Sequence, residues 1–141
     1  MATTAAVTLT SDLLSDTMSL STDTTCMKAG SAADGLDQMD MGYIEVATGD
    51  QYDLVNASTL GVGKANKVYI CNESTDETYY VDVMINAMAV GKLYGGPDGG
   101  DWMFLPWSAI DTDADIMITS QQGTNKLTYT LFHEGRTLTA S

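Results

Sequence analysis

Residues 67–85, KVYICNESTDETYYVDVMI, decide the fold. Val68, Ile70 and Asn72 alternate with Tyr69 and Cys71; beyond a polar loop at 72–78, Val81, Val83 and Ile85 alternate with Tyr80, Asp82 and Met84. Successive side chains of an extended chain point to opposite faces, so a period of two predicts two strands, each with one apolar face. Working outward, residues 90–94 and 102–107 read as two more strands, joined by a glycine-rich loop around Pro97. Ile116 and Ile118 share a face in 115–119, and Leu127, Tyr129 and Leu131 share one in 126–133, with Thr128 and Thr130 opposite. Six short strands separated by turn residues predict an all-β domain, a small β-sandwich or jelly-roll-like barrel. No stretch carries the period of an amphipathic helix; 11–15 makes at most a turn.

Upstream of Ala65 the pattern weakens. Residues 5–10 and 18–21 each suit a short strand, 29–42 reads as irregular and is punctuated by Gly30, Gly35 and Gly42, and 43–48 alternates weakly through Ile44 and Val46. The expected organisation is an extended, largely irregular N-terminal arm over 1–42 followed by a β-sandwich domain over 43–141. The arm has too little periodicity to fold alone, yet it carries Leu13, Leu14, Met18, Leu20, Leu36, Met39 and Met41. Apolar side chains of that number are expected to lie on a partner surface.

The strand Trp102-Met103-Phe104-Leu105-Pro106-Trp107 is apolar on both faces. Such a strand is either sandwiched in the core or has one face covered by a neighbour, and Pro106, which cannot donate to a ladder, places it at a sheet edge or marks its end. Trp102, Phe104 and Trp107 therefore join Leu13, Leu14, Met18, Leu20, Met39 and Met41 as candidate protein-contact residues. Nine methionines add flexible thioethers, which fill uneven gaps and suit adaptable surfaces.

The chain of 141 residues fits one domain of ordinary size. Its formal net charge is −13, with only six Lys or Arg. Phosphate binding needs clustered cations, so neither nucleic acid nor an anionic membrane is an expected partner. No segment approaches the ~18 apolar residues of a membrane span, and 1–10 lacks the pattern of a signal peptide. Cys71 sits in a strand pattern and reads as a small buried hydrophobe, whereas Cys26 lies in a polar, Thr-rich stretch; no bridge between them is expected.

Motifs for chemistry are incomplete. His133, the single histidine, stands beside Glu134 at the end of the last strand, where a hydrogen-bonded residue is the ordinary explanation. Asp111, Asp113 and Asp115 have the spacing of a calcium loop, but Ile116 replaces the glycine and Gln122 the bidentate Glu. Gly61-Val62-Gly63-Lys64 resembles part of a phosphate loop, with Ala65 where Ser or Thr is needed. The expectation is a protein without catalysis, metal or cofactor.

Several runs resemble a known group: Asn66-Lys67-Val68-Tyr69-Ile70-Cys71-Asn72 with Ser74-Thr75-Asp76, Gly91-Lys92-Leu93-Tyr94, Gly100-Asp101-Trp102-Met103-Phe104-Leu105-Pro106-Trp107, and Tyr129-Thr130-Leu131-Phe132-His133-Glu134. Over the C-terminal half the chain is similar to short proteins encoded among the virion genes of tailed bacteriophages, especially aquatic ones. The resemblance implies a virion structural protein made in the host cytoplasm. The first expectation is a capsid decoration (cement) protein on the capsid surface, binding the major capsid protein and self-associating as a dimer or trimer. A neck, tail or fibre component is the alternative, and a carbohydrate-binding module, with Trp102 and Trp107 stacking on sugars, is a third.

Overall fold

The computed structural model describes residues 3–11, 18–27, 35–36, 38–57, 64–107 and 115–134. Among these, ten strands follow one another: β1 (Thr3–Ser11), β2 (Met18–Cys26), β3 (Gln38–Val46), β4 (Gln51–Val55), β5 (Asn66–Asn72), β6 (Tyr80–Ile85), β7 (Met88–Tyr94), β8 (Trp102–Trp107), β9 (Ile116–Gln122) and β10 (Asn125–His133). The first two pair with each other as a hairpin. The other eight make two antiparallel four-stranded sheets, β3-β10-β5-β8 and β4-β9-β6-β7.

The pairing is nested: β3 with β10, β4 with β9, β5 with β8, β6 with β7. Outermost strands pair with outermost and innermost with innermost, as in one long hairpin wound around a barrel, and the β10–β5 and β6–β9 ladders close it. This is the jelly-roll arrangement of a β-sandwich.

The period-two pattern fills the space between the sheets. Val68, Ile70, Leu127 and Leu131 come from one sheet; Val81, Val83, Leu93, Ile116 and Ile118 come from the other; all are buried in one core. The inner face of the first sheet turns polar at both ends. One end carries the buried Asn72 and Asn125, while the other carries a transverse row of Gln38, His133, Asn66 and Trp107.

The two-residue turn Asn86-Ala87 joins β6 to β7 with φ of 51° and 60°. Positive φ at both positions matches the twist of the strands it joins, and Asn tolerates it, but Ala is strained there. Ala87→Gly is expected to raise stability by about 0.5–1 kcal/mol, read as a higher urea midpoint at unchanged slope.

The N-terminal third departs from the sequence reading. Residues 38–42 are regular strand, in register with the whole of β10, so the boundary drawn between Gly42 and Tyr43 falls inside β3. The cause is an inverted pattern: Gln38, Asp40 and Gly42 face inward while Met39 and Met41 face out. Gly42 is needed because the Tyr129 ring lies over it; a Cβ there would fall 2.5 Å from the ring. The candidates at 5–10 and 18–21 are strands, longer than expected, and they form a hairpin instead of an irregular arm. Each supplies the backbone partners of the other, which an isolated extended segment would lack. The cysteines exchange the roles expected of them: Cys26 is fully buried at the base of the hairpin, and Cys71 is half-buried on the outside of β5.

Candidate protein interaction face

Alternation that sends Val68, Ile70, Leu127 and Leu131 inward must send their neighbours out. Register then stacks the outward residues of the first sheet into rows across β3, β10, β5 and β8. Met39, Phe132, Lys67 and Pro106 form one row; Met41, Thr130, Tyr69 and Phe104 the next; Tyr43, Thr128, Cys71 and Trp102 the third. Nine of these twelve side chains are Met, Phe, Tyr, Trp, Pro or Cys. Met41 is 69% exposed, Met39 and Tyr43 are each 54% exposed, and Trp102 is 44% exposed, so the outside of this sheet is an apolar surface in contact with water. A contiguous patch of this kind marks an interaction site more often than a solvated face does.

Charge is sparse here. Lys67 lies within the rows, and Lys126 stands opposite Glu45 at their margin. In a chain of net charge −13, this face is the part best suited to approach another protein without repulsion. Tyr69 and Trp102 hold their rings 6.2 Å apart and tilted by 34°. Burial, helped by its contact with Cys71, pushes the Tyr69 phenol up to about 12. Burial also raises both thiols, Cys26 and Cys71, so neither is a ready thiolate at neutral pH.

Strand β1 borders the face. A groove of about 400 Å3 lies between Thr4, Ala5, Ala6 and Val7 on one side and Tyr69, Trp102, Phe104, Thr130 and Phe132 on the other.

No family model and no curated protein matches the chain. Among solved structures, the cupin domain of Schizosaccharomyces pombe Cnp3 aligns with 91% of this chain and 87% of that one, at 11% identity and a TM-score of 0.43. The jelly-roll assignment rests on strand order, not on that likeness.

The structure brings together four of the contact residues expected from sequence: Met39, Met41, Trp102 and Phe104. Trp107 is a correction. It pairs with Asn66 on the inner face, is 5% exposed and belongs to the core, because β8 alternates Met103, Leu105 and Trp107 inward against Trp102, Phe104 and Pro106 outward. Met18 and Leu20 lie in β2, opposite Ser11 and Leu9, and Leu13 and Leu14 lie outside the described residues. Sequence reasoning missed Tyr43, Tyr69 and Phe132. The signal for the last two was present, since both occupy the outward parity of strands already recognised.

His133 is buried, with its Nε2 3.1 Å from Asp40 Oδ2, which makes it a hydrogen-bonded residue within the inner row, between Gln38 and Asn66. Asp115 accepts a hydrogen bond from the Ala57 amide at 2.7 Å; Asp111, Asp113 and residues 61–63 lie outside the described residues. Among the described residues no group of three or more His, Cys, Asp or Glu is placed to hold a metal ion, and no helix is long and apolar enough to cross a membrane.

Proposed function

We propose that this protein is a bacteriophage virion structural protein, a capsid decoration (cement) protein that binds the assembled shell through the outer face of β3, β10, β5 and β8. The observation that carries the reading is the convergence of Met39, Met41, Trp102 and Phe104 on one weakly charged sheet face. Exposed aromatic and Met side chains on a rigid sheet give contact area at small entropic cost, and the acidic remainder keeps many copies soluble. The fold supports a binding role only in general terms, since jelly rolls host many functions.

The test is addition of purified protein to shells that lack it. Wild type is expected to saturate them, whereas Met41→Asp, at a 69% exposed site where the fold tolerates charge, lowers affinity by more than about tenfold. Equal binding by Met41→Asp would overturn the assignment of this face. Copy number distinguishes the alternative placement: hundreds per particle for a decoration protein, a few dozen or fewer for a neck, tail or fibre part. A second reading, carbohydrate binding, draws on Trp102, half-exposed beside Tyr69 and the Thr130 hydroxyl. Saturable Trp fluorescence change on adding oligosaccharides would favour it.

A further inference from the structure

The described residues present six strand edges: β1 and β2 of the hairpin, β3 and β8 of one sheet, β4 and β7 of the other. Unpaired edges invite pairing with another chain, and folded proteins usually blunt them with charge, proline or a bulge. Five of the six are blunted. β2 carries Asp23, β3 carries Asp40 and Glu45, and β8 carries Pro106. β4 has Asp53 and a register shift, and β7 has Lys92 and a register shift. β1 has none of these: Thr3-Thr4-Ala5-Ala6-Val7-Thr8-Leu9-Thr10-Ser11 contains no charge and no proline and pairs in unbroken register with β2.

The groove shows where the free side of β1 lies. Side chains of a strand alternate, so a groove lined by one face of β1 would touch every second residue. This one is lined by four consecutive residues, Thr4 to Val7, and is therefore bordered by the backbone edge itself. Every second residue of that stretch turns its N–H and C=O away from β2, toward a space floored by Tyr69, Trp102, Phe104 and Phe132.

We infer that two copies of this chain join through their β1 edges. The strands run antiparallel about a two-fold axis, and each β1 enters the other chain's groove. Charge selects the occupant. At −13 per chain, two copies repel over most of their surfaces, and β1 is the edge where both partners are neutral. An antiparallel pair of identical strands is self-complementary, as a two-fold interface requires. The result is a four-stranded sheet, β2-β1-β1-β2, in place of two hairpins. Two-stranded hairpins are marginal alone, and a sheet of four strands is not.

Sedimentation of the full chain at tens of micromolar tests this. Wild type is expected to be a dimer, with the emission of Trp102 shifting to the blue on dimerisation while the buried Trp107 stays constant. Ala6 is exposed, so Ala6→Lys leaves the hairpin intact and adds the charge that β1 lacks. It should weaken the dimer by roughly tenfold or more, whereas Ala6→Ser should not. A monomeric wild type, a trimer, or an Ala6→Lys protein that dimerises as well as wild type would each overturn the inference. The dimer covers Trp102 and Phe104 and leaves the exposed Met39, Met41 and Tyr43, which do not line the groove, for the shell; sedimentation without shells tests the inference apart from the proposed function.

Discussion

Asn125→Ala is expected to lower folding stability by about 3–5 kcal/mol. Asn125 is fully buried and belongs to β10, in one sheet, but the two hydrogens of its side-chain amide are shared among three acceptors on the other: Tyr80 O at 3.0 Å, Ser120 Oγ at 2.9 Å and Gln122 O at 3.0 Å. Its Oδ1 accepts from Asn72 Nδ2 at 3.0 Å, and Asn72 Nδ2 also donates to Leu93 O on β7 at 2.9 Å. The two asparagines thus tie the sheets together at one end, where the aliphatic core stops. Removing one of them leaves several buried donors and acceptors without partners, each costing about 1–3 kcal/mol before water enters. The sum is a large part of the ~5–15 kcal/mol that holds a domain together. Asn66 occupies the opposite end and is the natural control. Its Nδ2 donates to the nearby Lys64 O at 3.0 Å, and its Oδ1 has no partner among the described residues. Asn66→Ala is therefore expected to cost less than about 1.5 kcal/mol. Equal urea midpoints for the two variants would show that Asn125 is not a tie between sheets.

The strands most legible in the sequence are those whose central inner positions are apolar. In the middle of β5, β6, β9 and β10 a Val, Ile, Leu or Tyr recurs at every second residue, so the period is visible without knowing what lies opposite. Strand β3 was legible only from Tyr43 because its first inner positions, Gln38, Asp40 and Gly42, answer to His133 and the Tyr129 ring, which come from β10 some 90 residues later. Strand β4 was missed because its register shifts between Asp53 and Val55 and buries the adjacent Leu54 and Val55, which breaks alternation. The two-sided apolar character of 102–107 did announce a surface as well as a core. Which tryptophan belonged to which side depended on pairing with β5, and that is not a local property. The face as a whole was legible as parity in single strands, and only the strand order brought those parities side by side.

Two truncations separate the hairpin from the sandwich, and they should behave oppositely. Removing residues 1–34 takes away β1 and β2, which pair only with each other, and leaves β3 in full register with β10. The main loss is at the hairpin base, where the Leu36 amide donates to Cys26 O at 2.8 Å and both side chains are buried. This protein should fold, with a loss of about 1–2 kcal/mol. Removing residues 1–42 also takes Gln38, Met39, Asp40, Met41 and Gly42, the partners of Tyr129–His133. Half of β10 becomes an unpaired edge, Leu131 loses cover from its neighbouring strand, and the buried His133 loses the Asp40 carboxylate 3.1 Å from its Nε2. Uncovering apolar side chains costs about 1.5–3 kcal/mol for each one fully exposed, and an open edge on a central strand invites aggregation. The longer truncation should show no cooperative unfolding transition by circular dichroism. The shorter one should keep that transition and the exposed strip of Met39, Met41, Tyr43 and Trp102, so it should still bind shells while sedimenting as a monomer. A cooperative transition in the protein lacking 1–42 would mean that β10 does not need the first half of β3, and the sandwich would then begin at Tyr43 after all.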